Sequence, residues 1–158
     1  MNNNEKEFIK RVNIDKAKNK TIICILLTII SLLTYAIPLL LGAYDIGLFL
    51  ELFTLILIFI ARANMTKYNE ENSQKYIILA MIPIGFLLIY DFATIFSTVS
   101  DTTDLTFLGF DFILSGGLTI LTIVFLFMIN KDLKKAENSE KHKESTDWFY
   151  ERLDEKDK

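Results

Sequence analysis

Hydrophobic and polar positions along this chain are sorted into long blocks. Four apolar runs, at 21–42, 46–61, 76–98 and 105–130, alternate with short polar connections and are flanked by charged ends. Crossing the hydrocarbon core of a bilayer takes about 20 helical residues, with a range of about 17–25. The first, third and fourth runs reach that length, and the second does so if its helix extends over 44–63. The pattern predicts an all-α polytopic membrane protein with transmembrane helices at about 21–42, 44–63, 76–98 and 105–130. The connection GAYD, 42–45, is too short for anything but antiparallel neighbours. Helices three and four turn through VSDTTD, 99–104, where Thr102, Thr103 or Asp104 can cap the fourth helix. The expected architecture is an antiparallel bundle of two hairpins. A basic segment, 1–20, precedes it and a charged tail, 131–158, follows it.

Within each run the few polar and small residues fall on one face. Cys24, Thr28, Ser31, Tyr35, Pro38 and Gly42 share a stripe on the first helix, and Gly47, Glu51 and Thr54 on the second. Pro83, Asp91, Thr94 and Thr98 mark the third, and Asp111, Ser115, Thr119 and Thr122 the fourth. Small and hydroxylated residues let membrane helices approach and hydrogen-bond, so these stripes are expected to be the packing faces. Gly116 and Gly117 read as a close approach or a flexible point in helix four.

Charge sets the expected orientation. All seventeen Lys and Arg lie in 1–20, 62–75 and 131–158, while the two other connections hold only Asp45, Asp101 and Asp104. By the positive-inside rule both termini and the middle loop are cytoplasmic. An Asn-, Lys- and Ile-rich composition without organelle-targeting features points to a bacterial plasma (inner) membrane. The first run follows a charged segment of twenty residues and lacks a small-x-small cleavage site, so it reads as a helix that is kept, not a cleaved signal. The one cysteine, Cys24, leaves no internal disulfide, CxxC centre or cysteine-based zinc cage.

Three acids interrupt the runs. Glu51 lies six residues after Asp45 and Asp111 seven after Asp104, so both sit roughly 9–10 Å below the outer surface. Asp91 sits roughly 10–12 Å in from the end of the third helix. Three helices thus bring a carboxylate to one depth, each on its polar stripe, and the acids are expected to converge. No Lys, Arg or His lies within the runs to pair with them. Charge in hydrocarbon costs at least about 2.5–3.5 kcal/mol and usually marks function. Glu51, Asp91 and Asp111 are therefore candidate ion- or partner-binding residues, with Tyr35 and Tyr90 as hydrogen-bond donors.

The cytoplasmic ends add a second candidate surface. Phe8, Ile9 and Val12 among six basic residues suit a segment lying along the inner leaflet. In the tail, Ser145 or Thr146 can cap a short amphipathic helix over 146–156 that displays Trp148, Phe149, Tyr150 and Leu153. Helices this short are marginal alone in water, so this one needs something to dock on.

Catalytic chemistry is missing from the pattern. There is no phosphate-binding Gly-rich loop, no HExxH and no Ser/His or Cys/His pair, since the only histidine is His142 in the tail. No enzyme activity, cofactor, metal centre or nucleic-acid partner is expected. The favoured reading is a small accessory or interaction protein, such as a subunit, regulator or immunity-type protein docking on a larger membrane partner. The alternative is an oligomeric proton- or cation-coupled transporter or channel that uses the acids.

Overall fold

A computed structural model describes residues 3–40, 46–99 and 114–138. They form α1 (Asn3–Leu40), α2 (Ile46–Thr66), α3 (Glu70–Val99) and α4 (Leu114–Asn138). All four are long and apolar enough to cross a membrane, and the described residues contain no strand. Helices suit that setting because every backbone N–H and C=O must be satisfied within the segment. The connections 42–45 and 100–104 and the tail helix expected at 146–156 lie outside the described residues.

The helices are turned inside out relative to a water-soluble bundle. Large apolar side chains such as Leu33, Phe49, Phe86, Ile89 and Phe127 face outward, with Phe86 62% exposed. Thr28, Ser31, Glu51, Thr54, Asp91, Thr119 and Thr122 are buried between the helices. In water this arrangement would forfeit the hydrophobic effect, whereas in lipid the outward residues lose nothing.

Each helix buries one seam whose positions alternate by three and four residues. On α1 it runs 14, 17, 21, 24, 28, 31, 35, and on α2 47, 51, 54, 58, 61, 65. On α3 it runs 70, 73, 77, 80, 84, 87, 91, and on α4 119, 122, 126, 129, 133, 136. The mean repeat is about 3.5 residues, the spacing of helices that pack knobs into holes with a left-handed supercoil. Of the expected polar stripes, Cys24, Thr28, Ser31, Tyr35, Gly47, Glu51, Thr54, Asp91, Thr119 and Thr122 belong to these seams, and Pro83 is buried beside one. Ser115 is half-buried, and Thr94 is exposed and donates to the Tyr90 carbonyl of its own helix at 2.9 Å. The side chains of Pro38, Gly42, Thr98 and Asp111 are outside the description. Gly117 is no close approach: a Cβ added there meets nothing within 4 Å among the described residues.

The helices outrun their apolar stretches, α1 and α4 by the most. α1 has 38 residues, about 57 Å long against about 30 Å of hydrocarbon. Its seam continues through Ile14 and Ala17, which join one core with Met65, Ile77, Leu133 and Ala136. The seam therefore changes composition along its length, apolar where Lys and Arg surround it and hydroxylated where they do not. Phe8, at the start of α1, is exposed. Lys10 pairs with Glu70 at 2.9 Å and Lys20 with Asp132 at 2.5 Å. Arg62 Nη1 donates to the Lys18 carbonyl at 2.6 Å and to Thr21 Oγ1 at 3.0 Å.

Residues 67–69 join α2 to α3 without a glycine. Asn69 N–H donates to the Asn64 carbonyl at 3.1 Å and Tyr68 N–H to the Met65 carbonyl at 3.0 Å, the two bonds of a Schellman cap. The residue after the cap must turn left-handed, and here that residue is Tyr68 at φ 54. Asn69 then caps α3, its Oδ1 accepting from Asn72 N–H at 3.1 Å. A left-handed L-residue costs roughly 1–2 kcal/mol, so Tyr68→Gly is expected to raise the thermal midpoint. Asn69→Ala is expected to lower it, by about 1 kcal/mol of stability. Midpoints measured on the full chain in nanodiscs check both signs.

Candidate functional site: two carboxylates inside the bundle

The hydroxylated half of the seam brings together side chains from all four helices. α1 supplies Ser31 and Tyr35, one helical turn apart on the same face. Ser31 Oγ donates to Glu51 Oε1 on α2 at 2.6 Å. Tyr35 Oη donates to Asp91 Oδ1 on α3 at 2.6 Å. Thr119 on α4 reaches Asp91 Oδ2 at 3.4 Å while also lying 3.0 Å from the Ser115 carbonyl. Its single hydroxyl proton serves the shorter, backbone contact better. Glu51 and Asp91 lie within electrostatic range of each other, and Tyr35 of both.

Glu51, Ser31 and Thr119 are 0% exposed, and Tyr35 and Asp91 nearly so. The second oxygen of Glu51, Oε2, is buried and has no hydrogen-bond partner. Thr122 Oγ1, one turn on from Thr119, is also buried and unpartnered. On α2 the nearest basic residue is Arg62, eleven positions from Glu51 and about 16 Å along the axis. Arg62 is already committed to Lys18 and Thr21. An uncompensated polar atom in an apolar interior is costly, and an unpaired charge far more so. The oxygen donors here are carboxylates and hydroxyls, ligands that suit hard cations and protons and not soft metals. Among the described residues no group of three His, Cys, Asp or Glu could hold a metal ion.

No family model, curated protein or solved structure matches the chain. What the site can do is therefore argued from its geometry.

Of the residues singled out from the sequence, Glu51, Asp91 and Tyr35 meet in this interior. Tyr90 sits next to Asp91, half-buried and packed against the core. Asp111, Trp148, Phe149, Tyr150 and Leu153 lie outside the described residues. Sequence reasoning placed Ser31 and Thr119 on packing stripes without pairing them to the acids. The signal was there, since Ser31 and Tyr35 are the hydroxyls of α1 at i, i+4. What a stripe lacks is the register between helices. Lys20, Arg62 and Asp132 were read only as flanking charges, and their contacts between helices have no local signature.

A side-chain hydrogen bond contributes about 0.5–1.5 kcal/mol net. Tyr35→Phe is expected to lower stability by that amount in a detergent-unfolding titration. Thr119→Val should cost less than about 1 kcal/mol, its contact to Asp91 being long and its hydroxyl holding a backbone acceptor. The reverse order of the two variants would contradict this assignment of the Asp91 partners.

Proposed function

We propose that the chain is a plasma-membrane protein coupled to a proton or small cation through its interior carboxylates, working as a homo-oligomer. The observation that carries this reading is Glu51, fully buried, with one oxygen held by Ser31 and the other unpartnered. Such a group takes up a proton or a positive partner, and no basic side chain of the described residues lies beside it. Intramembrane acids that face a bundle interior commonly serve ion and proton pathways. Four helices enclose little space, which is why the oligomer enters the proposal.

The same reading sets the protein in the bilayer with both termini and the 67–69 turn cytoplasmic, following the basic residues. An antiparallel arrangement of two hairpins is supported by the order of contacts. Going from the acid site toward the basic end, position numbers fall along α1 (Tyr35 to Lys18) and rise along α2 (Glu51 to Arg62). They fall along α3 (Asp91 to Glu70) and rise along α4 (Thr119 to Asp132).

A second reading, an accessory protein docking on a larger membrane partner, draws on a different observation. α1 and α4 continue beyond their apolar stretches as a packed, ion-paired platform, built around Ile14, Ala17, Leu133 and the Lys20–Asp132 pair. The tail leaves from that platform, and Trp148, Phe149, Tyr150 and Leu153 would be its docking residues. Docking through Glu51 and Asp91 has less to support it, because hydroxyls of the same chain already hold them.

Reconstitution separates the two. Proteoliposomes carrying the wild-type chain are expected to pass protons or monovalent cations under an imposed gradient, and Asp91→Asn to lose at least about tenfold of that flux. A strictly monomeric protein without flux, co-purifying with a stoichiometric partner that a tail truncation at 146 releases, would favour the accessory reading.

A further inference from the structure

At the basic end of the bundle, Lys10, Lys20 and Arg62 all tie helices together, but only the lysines bring a counter-charge. Lys10 is paired with Glu70 and Lys20 with Asp132. Arg62, half-buried on α2, instead donates from Nη1 to two neutral acceptors of α1, the Lys18 carbonyl at 2.6 Å and Thr21 Oγ1 at 3.0 Å. The Thr21 hydroxyl in turn donates to that carbonyl at 2.6 Å, which fixes the guanidinium against α1. Nothing among the described residues accepts from its Nε or Nη2. These two nitrogens form one edge of the guanidinium fork, the geometry that meets a phosphate or carboxylate through two parallel bonds. Lys18 is half-buried too, and its amine pairs with no acid among the described residues. Asp15, a turn further out, is exposed and makes no ion pair with either cation.

The setting of these two cations identifies the anion. Ile22 lies four residues after Lys18 and Phe59 three before Arg62, so each shares a face with its cation. Both are exposed. Arg62 and Lys18 therefore sit about 4–6 Å along the helix axes from hydrocarbon-facing side chains, at the level of lipid headgroups. A half-buried charge without a counter-charge is costly at such a boundary. We propose that Arg62 and Lys18 form a binding site for the phosphate of an anionic phospholipid, in the groove between α1 and α2. Arg62 grips the phosphate through Nε and Nη2, positioned by Thr21 and the Lys18 carbonyl, while acyl chains run over Ile22 and Phe59. Lys18 adds the second positive charge, which favours an anionic headgroup over a zwitterionic one. The site lies about 16 Å along α2 from Glu51 and is independent of what the interior acids bind.

A lipid that binds the folded state raises its stability by mass action. The full chain in a neutral detergent is titrated with phosphatidylglycerol, phosphatidylcholine or inorganic phosphate at constant ionic strength. The thermal midpoint is read at each step, and native mass spectrometry counts the lipid retained. The expected result is a saturable rise with phosphatidylglycerol, with one lipid kept per chain and no response to inorganic phosphate. Phosphatidylcholine should need at least about fivefold more lipid for the same rise. Lys18→Gln should weaken the phosphatidylglycerol response about fivefold. Lys16→Gln, the same change of charge on the far side of α1, should leave it unchanged. Arg62→Gln should abolish the response, and if that variant does not fold the two lysine variants still decide. Equal responses to the two lipids would overturn the inference. Equal effects of Lys18→Gln and Lys16→Gln would overturn it too, marking diffuse surface charge and not a site. A rise with inorganic phosphate that matches the lipid's would overturn the lipid assignment and put a soluble anion in its place. The proposed ion coupling is read separately, by flux, and stands or falls without this site.

Discussion

The constraint on which this structure turns is the burial of two carboxylates in a bundle whose exterior is hydrocarbon-like. Apolar contact does not hold membrane helices together as it does helices in water, because lipid tails solvate Leu and Phe as well as a neighbouring helix does. Specific inward-facing groups must do that work. Here Ser31 and Tyr35 of α1 each hold an acid, Glu51 on α2 and Asp91 on α3. The first helix is thereby tied to α2 and α3 through hydrogen bonds that lipid cannot supply.

The opposite end of the bundle is held by different forces. There α1 and α4 leave the apolar stretch and their seam positions become Ile14, Ala17, Ile129, Leu133 and Ala136. Burying such aliphatic side chains from water is worth about 1.5–3 kcal/mol for each large one. Lys10–Glu70, Lys20–Asp132 and the Arg62 contacts close the ends of the seams. One bundle thus runs on hydrogen bonding at one end and on the hydrophobic effect at the other. The heptad-like spacing continues unbroken through the change.

Much of this was legible in the chain. Apolar run length gave the four helices, and the spacing of Cys24, Thr28, Ser31 and Tyr35 gave the buried face of α1. Helix ends were harder. The apolar run of α1 stops at Thr21, but its seam continues inward at the same spacing through Ala17 and Ile14, hidden among lysines when only average hydrophobicity is read. The same holds for Leu133 and Ala136 on α4. Matched depth led to the expectation that Glu51, Asp91 and Asp111 converge; Ser31 and Tyr35, one turn apart, contact the first two, and Asp111 lies outside the described residues. That Glu51 and Asp91 would each rest on a hydroxyl of α1 was not foreseen, because pairing across helices depends on rotation and register that a single helix does not encode. Tyr68 illustrates a local rule broken: the left-handed position after a helix cap, usually glycine, is filled by an aromatic.

The central claim is that two interior carboxyl groups are held across helices by hydroxyls of α1. A double-mutant cycle on Tyr35→Phe and Asp91→Asn, read by unfolding of the full chain in detergent, tests it most directly. The predicted result is a coupling energy of about 0.5 kcal/mol or more between the two positions. Strictly additive losses from the two substitutions would contradict it.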